Sequence, residues 1–261
     1  MGYMSAPRSR AILFLLLALL IGIHVFQTLA HLYFQVPLAA VSQLFDVDVE
    51  GNIPTFYNAF LFFCSSILFL ICGYAASGRA RWGWMLLGGV MAFLAVDEGS
   101  QFHEHFMLVT LRFLGDGDMR IGQMGWLFYA WIIPYVLAAV GLSIILLPWL
   151  WHLDPSVRRG LILAGVVYVA GAAGMESIGG SVAEQLLVRF DPAATYPGIP
   201  CEVYKVGECF LYADATYVAL YTIEETLEMA GLILCIGVLL RWLERRAVTW
   251  TVVFGRRPTG Q

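Results

Sequence analysis

The segment AVDEGSQFHEH, residues 95–105, places ionisable side chains in the middle of a long apolar stretch. Read as one helix at about 100° per residue, it carries a polar stripe along a single face. The stripe consists of Asp97, Glu98, Gln101, Glu104 and His105, whereas His103 points the other way. Carboxylates and imidazoles bind metal ions and carry protons, and ionisable residues inside a membrane span mark functional sites. This segment is therefore the first candidate site.

Three further apolar segments carry polar stripes of their own. Helical spacing groups His24 with His31 in the first, Glu176 with Glu184 in the second, and Tyr221, Glu224, Glu225 and Glu228 in the third. All four stripes reach a similar depth in the half of the membrane that we predict to face outward. We therefore expect the four helices to converge on one site.

Charge balance limits what such a site can be. Eight acids lie in the predicted spans, and no Lys or Arg accompanies them at that depth. An isolated charge in the bilayer core costs roughly 3 kcal/mol or more, so eight unpaired carboxylates would exceed a typical folding free energy of about 5–15 kcal/mol. The carboxyls are either protonated and bonded to each other, or bound to metal ions, or exposed to a hydrated cavity.

The first hypothesis is an integral membrane metalloenzyme, an oxidoreductase or a hydrolase, acting on a lipid, a quinone or another apolar substrate that enters from the bilayer. Its cofactor would be a divalent transition metal, Fe, Zn or Mn, because carboxylate and imidazole are its natural ligands. The predicted ligands are Glu98, His105, Glu176, Glu225 and Glu228, completed by His24 or His31. Asp97 and Glu104 would orient ligands or carry protons, and Tyr221 would donate a hydrogen bond to the centre or the substrate.

Two other functions stay open. A cation or proton-coupled transporter is favoured by the likeness of Asp97-Glu98-x-x-Gln101 to Glu224-Glu225-x-x-Glu228, on helices that run in opposite directions as in an inverted repeat. A structural membrane subunit would hold the same acids as a protonated hydrogen-bond network. Bound metal in purified protein would favour the enzyme over both.

The composition defines the fold class. Hydrophobic residues make up 60% of the 261 residues and charged ones 13%, about half the charge of a soluble domain. We predict an all-α polytopic membrane protein, a single domain over residues 1–261 with six transmembrane helices. The predicted spans are 11–36, 55–76, 83–112, 125–151, 159–187 and 213–243. The chain has no basic tract for nucleic acid and no His-Glu-x-x-His, Gly-x-Ser-x-Gly, Walker or Rossmann motif.

The basic residues predict the orientation. With six alternating spans, eleven of the fifteen Lys and Arg residues fall on the side of the termini and four on the other. The positive-inside rule then places both termini in the cytoplasm, in an inner-membrane protein whose lipid bilayer is its first partner.

The loops add two expectations. Residues 37–54 hold Asp46, Asp48 and Glu50 but few apolar anchors, which is typical of a solvated turn. Cys201 and Cys209 share an outer loop, where an oxidising compartment permits a disulfide bond. A metal site is the other use of such a pair, but a single pair is weak support for zinc.

Overall fold

The computed structural model describes residues 5–34, 43–103, 105, 109–110, 124–189 and 211–246, apart from the side chain of Arg79. Seven α-helices lie in this part of the chain. They are α1 (Ala6–Phe34), α2 (Ile53–Ala75), α3 (Arg81–Ser100), α4 (Ile132–Trp151), α5 (Pro155–Val169), α6 (Glu176–Val188) and α7 (Ala215–Arg245). A π-helical turn, Ala170–Met175, joins α5 to α6, and short 3₁₀ turns occupy Gly78–Ala80 and Gly125–Leu127.

Local signals explain where the helices begin. The Asn52 side chain accepts from the backbone N–H of Thr55 at the start of α2, and Asp214 accepts from those of Thr216 and Tyr217 at the start of α7. Side-chain oxygens at such positions satisfy backbone donors that the first helical turn leaves unpaired. Pro155 begins α5, where its fixed φ suits the first turn and its missing N–H is no loss.

Five segments of the described chain are long and apolar enough to cross a membrane, namely 6–34, 53–75, 132–151, 155–188 and 215–245. The protein is therefore all-helical and multi-pass, in keeping with a lipid bilayer environment. The predicted third span is not among the five: the helix there, α3, ends at Ser100 and carries Asp97 and Glu98 in its last turn.

Helix α7 lies at the centre of the bundle. In the most apolar stretch of α7, 61% of the residues are buried, whereas in that of α1 only 11% are. The rest of α1 therefore exposes an apolar surface. α7 packs against α1, α2 and the α5–α6 segment. Helices α2 and α3 approach closely through glycine: the Ser66 hydroxyl donates to the carbonyl oxygen of Gly88 over 2.8 Å, and a methyl group on Gly88 would clash with Leu70.

An aromatic cluster closes the end of the bundle where α1 begins, here called the tryptophan end. Trp84 packs edge-on against Trp149 with ring centroids 5.0 Å apart, and the ring centroid of Trp242 lies 5.1 Å from that of Trp84. The Trp149 indole N–H donates to the carbonyl of Ala80 over 2.8 Å, so its polar group is satisfied. The opposite end, at which residues 43–52 connect to α2, is called the acidic end.

Candidate functional site

The connection at the acidic end folds into the bundle. Asp46 is only 5% exposed, and its carboxylate oxygen lies 3.6 Å from Nδ1 of His24 on α1. The Asn52 side chain donates to the carbonyl oxygens of Gln43 and Asp46, which holds the backbone of the loop in a tight turn. The prediction of a solvated turn is therefore wrong, since the acids of this loop point toward buried helices. The alternating acids at positions 46, 48 and 50 were the signal in the sequence.

Tyrosine hydroxyls surround the second acid of the loop. Tyr212 Oη donates to Asp48 Oδ2 over 2.7 Å, and Tyr217 Oη approaches the same oxygen at 3.4 Å. The Tyr217 hydroxyl also lies 3.1 Å from that of Tyr129, in the segment before α4. Loop, α7 and this segment are thus joined by one hydrogen-bond network.

Burial raises the pKa of both loop acids, Asp46 and Asp48, and so favours their neutral forms. It raises the pKa of Asp46 to about 6, against smaller opposing effects of hydrogen bonds from the Asp48 backbone and from Tyr221. It also raises the pKa of Asp48 to about 8, with a further increase from the negative charge of Asp46. The bond from Tyr212 opposes that rise, and the nearby charge of Glu176 adds to it.

The predicted histidines of α1 are both buried. His24 has no exposed surface, and its Nε2 lies 3.0 Å from the Thr222 hydroxyl on α7. Tyr221, predicted to hydrogen-bond to the centre, has its ring 5.6 Å from that of His24 and its hydroxyl bonded to Asp46. His31 is 7% exposed, two helical turns further along α1.

The carboxyls of α7 meet those of two other helices. Glu224 is hydrogen-bonded through its side chain to Glu176, the residue that follows the π-helical turn. Glu225 interacts through charge with Glu228 and with Glu98 of α3. Four of the predicted ligands, Glu98, Glu176, Glu225 and Glu228, therefore lie in one region of the bundle.

A neutral side chain joins two of these acids and was not singled out from the sequence. The Asn58 side chain, 1% exposed on α2, donates through Nδ2 to Glu98 Oε1 over 3.0 Å. It is also hydrogen-bonded to Glu228. The position of this amide in the apolar run of α2 was the only sequence signal for this role.

The polar stripe predicted on α3 does not continue past its end. Gln101 adopts a left-handed conformation with φ 56°, so the helical phase of residues 97 and 98 is lost at this point. His103, predicted to point away, instead lies 3.5 Å from Asp97 Oδ2 and donates its backbone N–H to Asp97 Oδ1. His105, a predicted ligand, is exposed and its Nδ1 contacts the carbonyl oxygen of Gln101, and its role as a ligand stays a prediction. Glu104 lies outside the described residues.

Glu184 has a structural role, because its carboxylate binds backbone N–H groups of another segment. Its two carboxylate oxygens accept from the backbone N–H groups of Met124 and Gly125, at the start of the 3₁₀ turn before α4. These donors would otherwise lack a helical partner. The residue thus attaches α6 to the chain that leads into α4.

No three His, Cys, Asp or Glu side chains in the described ranges are grouped in a way that could hold a metal ion. Among the described residues His24 pairs with Asp46, and His103 with Asp97. Every described arginine but Arg189 belongs to the tryptophan end. The carboxyls of Glu98, Glu176, Glu224, Glu225 and Glu228, here called the carboxyl cluster, are therefore rich in hydrogen-bond acceptors and poor in positive charge.

The cysteines leave one prediction untested. Cys64, Cys72 and Cys235 are free thiols inside the bundle, the last two of them buried. Cys201 and Cys209, the predicted disulfide pair, lie outside the described residues.

Comparison with known proteins places the chain in a family. A family model described as "Domain of unknown function (DUF8692)" matches residues 11–243, and the chain belongs to this family. No curated protein matches the chain, and no solved structure matches it.

Proposed function

We propose that this member of the DUF8692 family is a proton-coupled membrane transporter, whose buried carboxyl cluster takes up protons from the acidic end of the bundle. The proposal includes α3 as a sixth span and both termini in the cytoplasm, which places the acidic end on the outer side.

The close approach of the Glu176 and Glu224 side chains carries the proposal. Two ionised carboxylates have only acceptor atoms and repel each other, so a hydrogen bond between them needs a proton on one of them. Two carboxyls that share a site cannot easily both ionise. The pair is therefore a place where a proton is held between α6 and α7.

A second pair supports the same interpretation. The Thr222 hydroxyl donates its one proton to the carbonyl of Val218, at 2.6 Å the shorter of its two contacts, so its oxygen accepts from His24 Nε2. We assign the Nε2 proton on this basis. His24 Nδ1 then faces Asp46 Oδ1 at 3.6 Å, and a proton held by Asp46 replaces the repulsion between two acceptor atoms with a hydrogen bond.

The two ends of the bundle differ in a way that suits one-sided uptake. Acidic side chains extend from the loop into the bundle, in the order Asp48, Glu176 and Glu224. Asp48 lies close enough to Glu176 for the two to interact electrostatically. Beyond them the tryptophan cluster fills the other end. A transporter with a mid-membrane site needs one closed side at a time, and this arrangement corresponds to closure at the tryptophan end.

Infrared spectroscopy of the purified protein tests the shared proton. A buried protonated carboxyl has a C=O stretching band that an ionised carboxylate lacks, and this band should shrink when the pH is raised. Glu224→Gln and Glu176→Gln should each remove part of the pH-sensitive band. Glu184→Gln is the matched control, because the Glu184 oxygens accept from backbone N–H groups and need no proton.

Transport is tested in proteoliposomes that contain a pH-sensitive dye. The wild-type chain should change the internal pH when a proton gradient is applied, and Glu224→Gln should abolish the response while Glu184→Gln keeps it. Equal responses of Glu224→Gln and wild type would overturn the proposal.

The metal-dependent enzyme remains a second proposal, supported by the nearness of Glu98, Glu225 and Glu228. It ranks lower because the described residues hold no group of three metal-binding side chains as placed. Elemental analysis of purified protein for Fe, Zn and Mn tests it directly. A stoichiometric metal that excess Mg²⁺ does not displace would reverse the ranking, and an apolar substrate would then be sought.

A further inference from the structure

Asn58 occupies a position that few polar residues tolerate. It lies in the second turn of α2 with 1% of its surface exposed, and its nitrogen is directed at Glu98 Oε1. Through its bond with Glu228 the same carboxamide also contacts α7. Three helices, α2, α3 and α7, therefore meet around one side chain.

The oxygen atom of this carboxamide lacks a hydrogen-bond donor in the described part of the chain. Asn58 Oδ1 is fully buried and has no hydrogen-bond partner among the described residues. Such a group is rare in folded proteins, and its presence points to an unseen donor or ion. When Glu98 and Glu228 are ionised they add only further oxygens, because a carboxylate has no proton to donate. Asn58 Oδ1 and the carboxyls of Glu98 and Glu228 thus supply oxygen atoms and no positive charge.

We infer that Asn58 Oδ1, Glu98 and Glu228 form a binding site for a hard divalent cation of the Mg²⁺, Ca²⁺ and Mn²⁺ class. This inference deepens the proposed function and rests on it, since it names the cation that exchanges with protons. Two carboxylates balance the charge of one divalent ion, and carboxylate, carbonyl and water oxygens are the ligands that this class prefers.

The site differs from the transition-metal centre expected from sequence. Imidazole is the ligand that would favour Zn or Fe, but His24 Nε2 is bonded to Thr222 and His105 is exposed. The Glu225 carboxyl interacts through charge with both Glu98 and Glu228, which strengthens the negative potential around the site. Waters would complete the coordination, as they commonly do for Mg²⁺.

Mn²⁺ binding to the purified full-length chain in detergent tests the inference. Electron paramagnetic resonance measures free Mn²⁺, and excess Mg²⁺ should displace the bound ion. Asn58→Leu removes the oxygen at similar volume and should weaken Mn²⁺ binding by about tenfold or more. Asn58→Asp keeps an oxygen in place and adds charge, so it should bind Mn²⁺ at least as well as wild type.

Ser65→Ala is the matched control, because Ser65 is also buried on α2 and its hydroxyl also lacks a partner in the described chain. It lies two helical turns from Asn58 and should leave Mn²⁺ affinity unchanged. If Asn58→Leu does not fold, Glu98→Gln and Glu228→Gln replace it, and each should weaken binding by about tenfold.

Three results would overturn the inference: no Mn²⁺ binding by wild type, unchanged binding by Asn58→Leu, or equal losses in Asn58→Leu and Asn58→Asp. The last would show that the site depends on the amide donor or on a buried water. The infrared band of the Glu176–Glu224 pair, measured on metal-free protein, reports on the proposed function separately. Loss of Mn²⁺ binding with that band intact overturns the cation site alone.

Discussion

The α-carbon of Gly171 faces the backbone carbonyl oxygen of Glu224 so closely that a methyl group there would lie 2.7 Å from that oxygen. The contact joins the π-helical turn to the stretch of α7 that carries the cluster. π-helical turns insert one extra residue into a helix and occur often at functional sites. Here the turn ends at Met175, directly before Glu176, and thus sets the angle at which Glu176 meets Glu224.

Gly171→Ala should separate the π-helical turn from α7. Backbone cannot yield as a flexible side chain does, so we expect a loss of stability of about 1–3 kcal/mol, typical of overpacking. Thermal unfolding in detergent measures it. Gly174→Ala, in the same turn but with open space around its α-carbon, should be neutral or mildly stabilising. Equal effects of the two changes would contradict this role of Gly171.

Glu184→Ala should loosen the start of the segment that leads into α4. It leaves the backbone N–H groups of Met124 and Gly125 without their carboxylate acceptor, which costs about 2–3 kcal/mol for bonds to a charged group. Chemical unfolding curves of the purified protein measure the loss. Gln185→Ala, on the exposed neighbour, is the control and should change stability little.

The stability of the folded protein should depend on pH, because Asp46 and Asp48 are buried acids with raised pKa values. Asp46 and Asp48 have folded-state pKa values of about 6 and about 8, above the ordinary value of 3.8. Folding therefore favours their neutral forms, so stability is greatest below about pH 4 and falls as the pH rises through about 6 and about 8. The unfolding temperature of wild type should drop between pH 5 and pH 9.

Asp48→Asn removes one of the two ionisations, so its unfolding temperature should fall less over the same pH range. Asp154→Asn, an exposed acid at the tryptophan end, should behave as wild type. A wild-type profile that rises with pH would show that the loop acids are ionised in the folded protein.

The topology prediction is tested by reporter fusions. A fusion after Ser156 should report a cytoplasmic location and one after Gly198 a periplasmic location, since the basic residues favour the side of the termini. The reverse pattern would place the acidic end in the cytoplasm and reverse the direction of the proposed proton uptake.

The predicted Cys201–Cys209 disulfide is tested by intact mass. Alkylation without reductant should modify neither residue, and reduction should make both reactive. Cys64, Cys72 and Cys235 are free thiols and serve as internal references under denaturing conditions. Labelling of Cys201 and Cys209 before reduction would rule the bond out.

Sequence alone determined the class of the protein and the faces of α7. An apolar run of sufficient length specifies a membrane helix, because every backbone group in a bilayer must be bonded within the segment. Helical periodicity then assigned Tyr221, Glu224 and Glu228 to one side of α7, and all three are buried. Periodicity is a local property, so it can be read from neighbouring residues.

Tertiary structure decided what periodicity does not contain. The left-handed Gln101 ends α3 and brings His103 to Asp97, which no repeat of 3.6 residues predicts. The docking of Asp46 against His24 and the bridge from Asn58 to Glu98 join residues far apart in the chain. Such contacts depend on how the helices pack, and the cost of leaving a buried polar group unpaired selects them only once the bundle has formed.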